Sequence, residues 1–396
     1  MGSVIGKEGK MKTVLHQVGK VAFVTRILAV VSLTAAVLAL AIACGGGGGG
    51  GFGEKGDPVN ITVGYQPYYT ESWSGVVMRD KEFWKDHLPK GSEVEFQVGL
   101  QGSVIVSQMI AGKQQVGYMG DMPAIVATTK RDAEDIRIVS TLGTSQQMCN
   151  VFLVSKDAPE FKNPEEAVAW MDGKTVATPQ GSCTDRFAQS AFEQQGVKPK
   201  SYLNQSIEVI ATNFEQDKID AAAIWEPTAT RLQEQGIARR VASGAVYSAG
   251  DAGFMAMSKE FMDARPDVVK GFLQAELDAQ KFMADPKNSN EVAQMAVDQT
   301  TGFKKEIMWQ SLYKDWPDKV GGSPKDLKLD LPFVVTPDVQ QLIDESTKFL
   351  FGIKSINSEE LPEGAVDDSV AREVLKESGS DSVGKIKGLP ESEFGN

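Results

Sequence analysis

Short β-forming runs alternate with helical patterns across links of a few residues, and this alternation restarts once in mid-chain. VNITVGY (59–65) alternates apolar and polar residues at period two and reads as an opening strand. The aromatic loop QPYYTESWSG (66–75) runs from it into a helix ending near 85, and SEVEFQVG (92–99) is a second strand. VIVSQMIAG (104–112) has an apolar helical face that Gly112 terminates. QVGYMGDMPAIVATTKR (115–131) predicts a strand, a turn at Gly120 and Asp121, and a helix; IRIVSTLG (136–143) is another strand. β-α units with links this short predict a mostly parallel sheet flanked by helices.

CNVFLVSKD (149–157) is strongly strand-like, and after it the pattern begins again. PEEAVAWMDGK (164–174) reads as a helix stopping near Gly173, KTVAT (174–178) as a strand, and 184–195 as a helix ended by Gly196. IEVIA (207–211) reads as a strand, NFEQDKI (213–219) as a short helix, and DAAAIW (220–225) as a strand entering Glu226 and Pro227. TATRLQEQG (228–236) follows as a helix, RRVAS (239–243) and GFMAMS (253–258) as strands, and helices then dominate. The fold class is therefore α/β with two lobes, each a mostly parallel sheet flanked by helices. Residues 59–157 and 249–379 form one lobe, and 158–248 form a second lobe inserted into it. The tail, 380–396, is expected to be loose. Crossings near Leu153 and Met255 would be the hinge, and a ligand cleft is expected between the lobes.

The N-terminus is of another kind. Lys7, Lys10, Lys12, Lys20 and Arg26 face only Glu8, and ILAVVSLTAAVLALAIA (27–43) carries no charge. That stretch is short for a membrane span but suits a secretory leader. LAIAC ends at Cys44, before seven glycines, and resembles a bacterial lipobox, although Ala41 stands where leucine is commoner. Residues 1–43 are thus expected to be a lipoprotein signal peptide, Cys44 a lipidated N-terminus and 44–58 a glycine-rich, flexible tether. The location implied is extracytoplasmic, anchored to the outward-facing side of the cell membrane. Met11 opens a more conventional leader and is an alternative start. A formal net charge of −12, without a lysine/arginine cluster, argues against a nucleic-acid partner.

No metal is expected: there is no CxxC, and beyond the leader His87 is the one histidine. Cys149 and Cys183 either pair or stay as two buried thiols; their spacing leaves both open.

TPQGSCTD (178–185) crowds Gly181, Ser182, Cys183, Thr184 and Asp185 into one strand-to-helix turn. First-turn amides of a helix lack internal acceptors and attract anionic groups. Ser182 as a simple helix cap fits equally well. The turn lacks the phosphate-loop pattern GxxxxGK[ST] and the GxSxG nucleophile pattern. Four other loops should reach the same cleft. These are Tyr65, Gln66, Tyr68 and Tyr69 after the first strand; Gln101 and Gly102 in LQGS; Gly120 and Asp121 in YMGDMP; and Trp225 and Glu226 in IWEPT.

Three stretches, in this order and spacing, carry a resemblance: GSVIVSQMIAGKQQVGYMGDMPAIVA (102–127), MDGKTVATPQGSCTDRFAQSAFEQQGV (171–197) and DKIDAAAIWEPTATRL (217–232). Over about 60–379 the chain resembles the extracytoplasmic substrate-binding proteins of bacterial ABC importers. The branch is that of nitrate, sulfonate, taurine and thiamine-pyrimidine receptors. The resemblance implies a type II-like periplasmic-binding-protein fold, no cofactor, one small-molecule ligand, and a permease with its ATPase as partners to a monomeric receptor. Its binding loops fall on Tyr65, Gln66, Gly102, Gly120, Asp121, Ser182, Thr184, Trp225 and Glu226; Tyr68, Tyr69, Gln101 and Cys183 join them by position. It leaves open whether Arg186 joins an anion site or pairs elsewhere.

Asp121, Glu226 and the aromatic loop suit an amine, a zwitterion such as an aminosulfonate, or a nitrogen heterocycle. A taurine-like or other sulfonate ligand is the reading taken, with a nitrogen heterocycle of the vitamin-precursor type as the alternative. The alternative of another class is an enzyme on the same fold, with Cys183 as nucleophile or Asp121 and Glu226 as an acid–base pair. The loops supply no histidine to act as base, so a receptor is the reading taken.

Overall fold

A computed structural model describes residues 51–323 and 326–395. The expected signal peptide, 1–43, and the expected lipidation site, Cys44, lie outside the described residues.

Two mixed sheets form the frame. The strands of the larger are β1 (Asn60–Tyr65), β2 (Glu93–Val98), β3 (Val116–Gly120), β4 (Ile136–Ser145), β10 (Asp251–Ser258), β11 (Leu327–Leu331) and β12 (Gly384–Lys387). Their spatial order is β12-β11-β4-β10-β3-β1-β2. The smaller sheet holds β5 (Val151–Ser155), β6 (Thr175–Thr178), β7 (Ser201–Asn204), β8 (Ala221–Ile224) and β9 (Ala238–Ser243), in the order β7-β6-β8-β5-β9. β1 lies parallel to β2 and β3, and β6 parallel to β7 and β8. β10 runs antiparallel to β3 and β4, and β5 antiparallel to β8 and β9. The first strand of each lobe after a crossing therefore enters its sheet against the prevailing direction.

The central strands of each sheet are apolar and buried on both faces, whereas the edge strands β2, β7 and β12 are partly exposed. In β10, Met255 and Met257 face one core with Trp73, Phe272 and Trp309, whereas Phe254 and Ala256 face another with Ile105, Ile125 and Ile343. In the smaller sheet, Leu153 and Ile224 pack with Ile210 and Phe214; Phe152 and Val154 pack on the opposite face with Phe187 and Phe192. Side chains alternate across a strand, so two apolar faces need helices on both sides.

Four sequence expectations change. Leu153 pairs with Ala222 and Arg240 inside the smaller sheet, and Met255 with Tyr118 and Ser140 inside the larger. Residues held in a ladder cannot serve as a hinge, so the crossings are 146–150 and 244–250, and β5 belongs to the second lobe. The sheets are mixed rather than mostly parallel. IEVIA is not a strand but the start of helix Ile207–Glu215. Its β-branched residues suggest strand, but Ile207, Ile210, Ala211 and Phe214 are buried at helical spacing. The tail is not loose throughout: β12 pairs antiparallel with β11, and Ile386 is 2% exposed in the main core.

Among the described residues no helix is long and apolar enough to cross a membrane.

The docked tail gives a test. Ile386→Ala should cost about 2 kcal/mol of stability, near the low end for a buried isoleucine because the strand is at an edge. Urea unfolding would measure it, and an unchanged midpoint would mean that the strand is not docked in solution.

Candidate functional site

The β-α order places strand ends and helix starts at one edge of each sheet, and those edges face one cavity of about 430 Å³. From the first lobe come Gln66, Tyr69, Gln101, Gly102 and Gly120; from the second come Gly181, Ser182, Cys183 and Trp225.

Helix Gly102–Ile110 starts without a side-chain cap, as does helix Asp121–Thr128 after Gly120. Their first turns nearly touch. A Cβ on Gly102 would lie 2.4 Å from the Pro123 ring, so only glycine fits there. The Gln66 amide oxygen is buried nearby and has no protein partner. In the facing lobe, Gly181 adopts φ +76°, the left-handed conformation that lets the chain turn into helix Cys183–Gln195. The Ser182 hydroxyl accepts from the Asp185 amide at 3.4 Å and so caps its own helix. What the turn presents to the cavity is therefore mainly backbone. Thr184 is fully buried, with its hydroxyl unpartnered, and does not line the cavity.

Cys149 and Cys183 form a disulfide. It joins the first crossing segment to the first residue of the cavity-facing helix, and it removes Cys183 as a nucleophile. Tyr69 reaches across the lobes to Trp225, with ring centroids 6.4 Å apart, edge to face.

The two acidic candidates stand behind the cavity wall, each with an arginine. Asp121 is fully buried; its carboxylate accepts from Arg186 Nη2 at 3.1 Å, Ser346 Oγ at 3.1 Å and the Met122 amide at 2.7 Å. Arg186 belongs to the second lobe and also donates to Gly250 O at 2.7 Å, so it ties that lobe to the first and to the second crossing. Glu226 accepts from Arg240 Nη1 at 2.6 Å and from the Thr230 amide at 2.9 Å. Burial lowers the Arg240 pKa, with the Glu226 charge opposing. The negative charge expected at the ligand is therefore balanced within the protein. Asp121 and Glu226 also sit in separate ion pairs in different lobes, which removes them as an acid–base pair.

Tyr65 is fully buried outside the cavity, where its hydroxyl accepts from Arg79 Nη1 at 2.8 Å. Tyr68 lines a neighbouring pocket with Gln101, Trp225, Arg231 and Phe303, and its hydroxyl accepts from the Thr301 amide at 3.1 Å.

Sequence reading missed three parts of the site. Leu350 and Ser355 line the cavity from a segment remote in the chain; no local pattern marks them. Val106, Ile110, Met122 and Val126 line it from helices whose apolar periodicity reads only as core. Glu71 and Asp251 form a fully buried acidic pair beneath Tyr69, whose hydroxyl donates to Glu71. Asn150 donates to Asp251 at 3.1 Å. Burial, then the charge of Asp251, pushes the Glu71 carboxyl far up; burial raises Asp251 from 3.8 to about 7.

Two predictions follow from this chemistry. The native state retains a proton on Asp251 that the unfolded chain releases, so its contribution is complete below about pH 4 and is lost as pH rises through about 7. Asp251→Asn should flatten that decline, read as urea midpoints across the same window; parallel pH profiles would refute it. Opening the Cys149–Cys183 bond, by reductant or by the double serine variant, should cost about 3–4 kcal/mol, given a closed loop of some tens of residues. Equal unfolding midpoints with and without reductant would show that the bond does not brace the native state.

Comparison with known proteins agrees with this architecture. The model of the NMT1-like family matches residues 54–297. The taurine-binding periplasmic protein of Escherichia coli (strain K12) is 27% identical over 233 residues, covering 58% of this chain and 68% of that protein. The alkanesulfonate-binding protein of Xanthomonas axonopodis pv. citri, solved with MOPS bound, superposes with a TM-score of 0.61 at 17% identity, over 78% of this chain and 99% of that one. The periplasmic nitrate-binding protein of Synechocystis PCC 6803 gives 0.62 at 14% identity, over 81% and 89%. The chain thus belongs to the NMT1-like family, as a non-catalytic small-molecule-binding protein of the nitrate, sulfonate and taurine branch of ABC importers, which work with a permease and its ATPase.

Proposed function

We propose that this protein is a lipid-anchored, monomeric receptor that captures a small sulfonate or taurine-like solute outside the cytoplasm and delivers it to its permease. The observation that carries the reading is the convergence of the uncapped helix start at Gly102 and the Gly120 backbone in one lobe with the Ser182 turn in the other on one cavity. Helix N-termini present amide donors and the positive end of the helix dipole, which suits a sulfonate oxygen cluster. Because Arg186 and Arg240 neutralise Asp121 and Glu226, an anionic head meets no uncompensated carboxylate there. The Gln66 amide oxygen would accept an N–H or O–H from the solute, as the amine of a taurine-like ligand provides. Trp225 and Tyr69 would cover it.

Capture follows from geometry. A solute held by Gly102 in one lobe and the Ser182 turn in the other binds the closed arrangement better than the open one and so favours closure. Cys44, if lipidated, would hold the folded body near its permease through the glycine run.

Trp225→Ala should weaken sulfonate binding tenfold or more, by titration calorimetry, with the thermal midpoint little changed. An unaltered dissociation constant would remove Trp225 from the site. Native mass spectrometry of the purified chain would weigh any solute carried through purification; an aromatic nitrogen heterocycle in place of a sulfonate would overturn the assignment of the head group.

A further inference from the structure

A cluster of buried polar groups lies away from the solute cavity, where the first crossing meets both lobes. Lys328, on β11 of the first lobe, is 1% exposed, and its ammonium has no hydrogen-bond partner among the described residues. Arg240, on β9 of the second lobe, is also buried. Its Nη1 and Nη2 donate to Glu226 and to Gln147 O, but its Nε is buried without a partner. Trp316 lies against it, with the guanidinium 4.9 Å from the ring centroid, and Trp316 Nε1 is a third buried donor without a partner. Ser145 Oγ donates to Lys328 O at 2.8 Å and Gln147 Nε2 to Leu327 O at 2.9 Å, so β11 is tied to the crossing that also accepts from Arg240.

The charges here do not balance. Four charged groups act on Lys328: Arg240, Glu226, Asp315 and Lys314. Glu226 is committed to Arg240 at 2.6 Å, and Asp315 is exposed. One buried carboxylate therefore faces two buried cations. Water can fill a hydrogen bond at Lys328 but leaves that charge in place, and a buried ammonium either sheds its proton or takes a counter-ion. Burial, then the Arg240 charge, pushes Lys328 down from 10.5 to about 7, so the charged form dominates at pH 6.

We propose that Lys328 Nζ, Arg240 Nε and Trp316 Nε1 hold a small monovalent anion of the halide class, a counter-ion that ties β11, β9 and the first crossing together. An excess of one positive charge calls for one negative charge; a divalent anion would overcompensate it. Lys328 has three donors, so it can serve the ion and also, through water, the unpartnered acceptor Gln147 Oε1. A cavity of about 370 Å³ beside β9, lined by Arg239, Arg240, Lys319 and Val320, offers a route from solvent to Arg240. None of the three donors lines the solute cavity, so the site does not depend on which solute is bound there.

The test is thermal unfolding of the purified chain at pH 6 and constant ionic strength, with chloride replacing gluconate. An ion that binds only the folded state raises the midpoint with the logarithm of its concentration once that exceeds its dissociation constant. The midpoint should therefore climb by a few degrees with chloride, and with bromide likewise. Lys328→Met, which removes the charge at similar volume, should lose this response. Crystals grown in bromide should show an anomalous peak in contact with Lys328 and Arg240; this decides the site should Lys328→Met fail to fold. A midpoint indifferent to chloride would mean that Lys328 is a neutral amine served by water, and would overturn the proposal. A full response in Lys328→Met, or a bromide peak only in the solute cavity, would place the ion elsewhere and overturn it too. A peak at Lys328 without any chloride response would mark an adventitious ion only.

Discussion

Asp121 and Arg186 meet between the lobes, where the carboxylate is fully buried. Removing a carboxylate from water costs several kcal/mol unless it is paired and its remaining acceptor sites are filled. Here Arg186, Ser346 and the Met122 amide fill them. The same arginine reaches the second crossing through Gly250 O. Meeting the electrostatic demand of Asp121 thus favours the lobe arrangement seen here over a more open one, which would strip the buried carboxylate of its arginine. Glu226 meets the same demand within its own lobe through Arg240, while burial pushes the Glu71 and Asp251 carboxyls up, toward the neutral form. Four acidic side chains therefore surround the cleft without making it a site for cations.

Backbone direction supplies the complementary feature. In each lobe the parallel β-α units bring helix starts to the cleft edge, and there the unpaired amides are concentrated. Gly102 permits two such starts to approach, and Gly181 permits the third to turn toward them. The disulfide holds the third start to the first crossing. Rigid placement of donors matters more for recognising a small anion than their number, because donors already held in place lose less entropy when the ligand arrives.

Much of this was readable along the chain. Strand-helix alternation, its restart and its return produced two lobes, since period-two and period-3.6 patterns are local properties. Gln66, Tyr69, Gly102, Gly120, Ser182 and Trp225, expected at the cleft from strand-end position together with the family resemblance, line the cavity. Tyr65 was not separable from Tyr69, because a tyrosine after a strand packs into the core or faces the cleft according to a half-turn of backbone that sequence does not mark. IEVIA misled for a related reason: its β-branched residues have strand propensity, and only the burial of Phe214 with Ile207 and Ile210 reveals the helical face.

Sequence by itself determined most of the strands and helices, their order and which strand ends could meet a ligand, because steric preference, periodicity and chain direction act over a few residues. Tertiary structure alone decided the charge of the site and the extent of its cavity. Arg186 lies 65 residues from Asp121, and no local pattern announces their pairing. Leu350 and Ser355 reach the cavity from a distant part of the chain, and the cavity wall they complete exists only where elements from both lobes pack together. Compensation of charge and the shape of a void depend on atoms that folding brings together, so they become definite only in three dimensions.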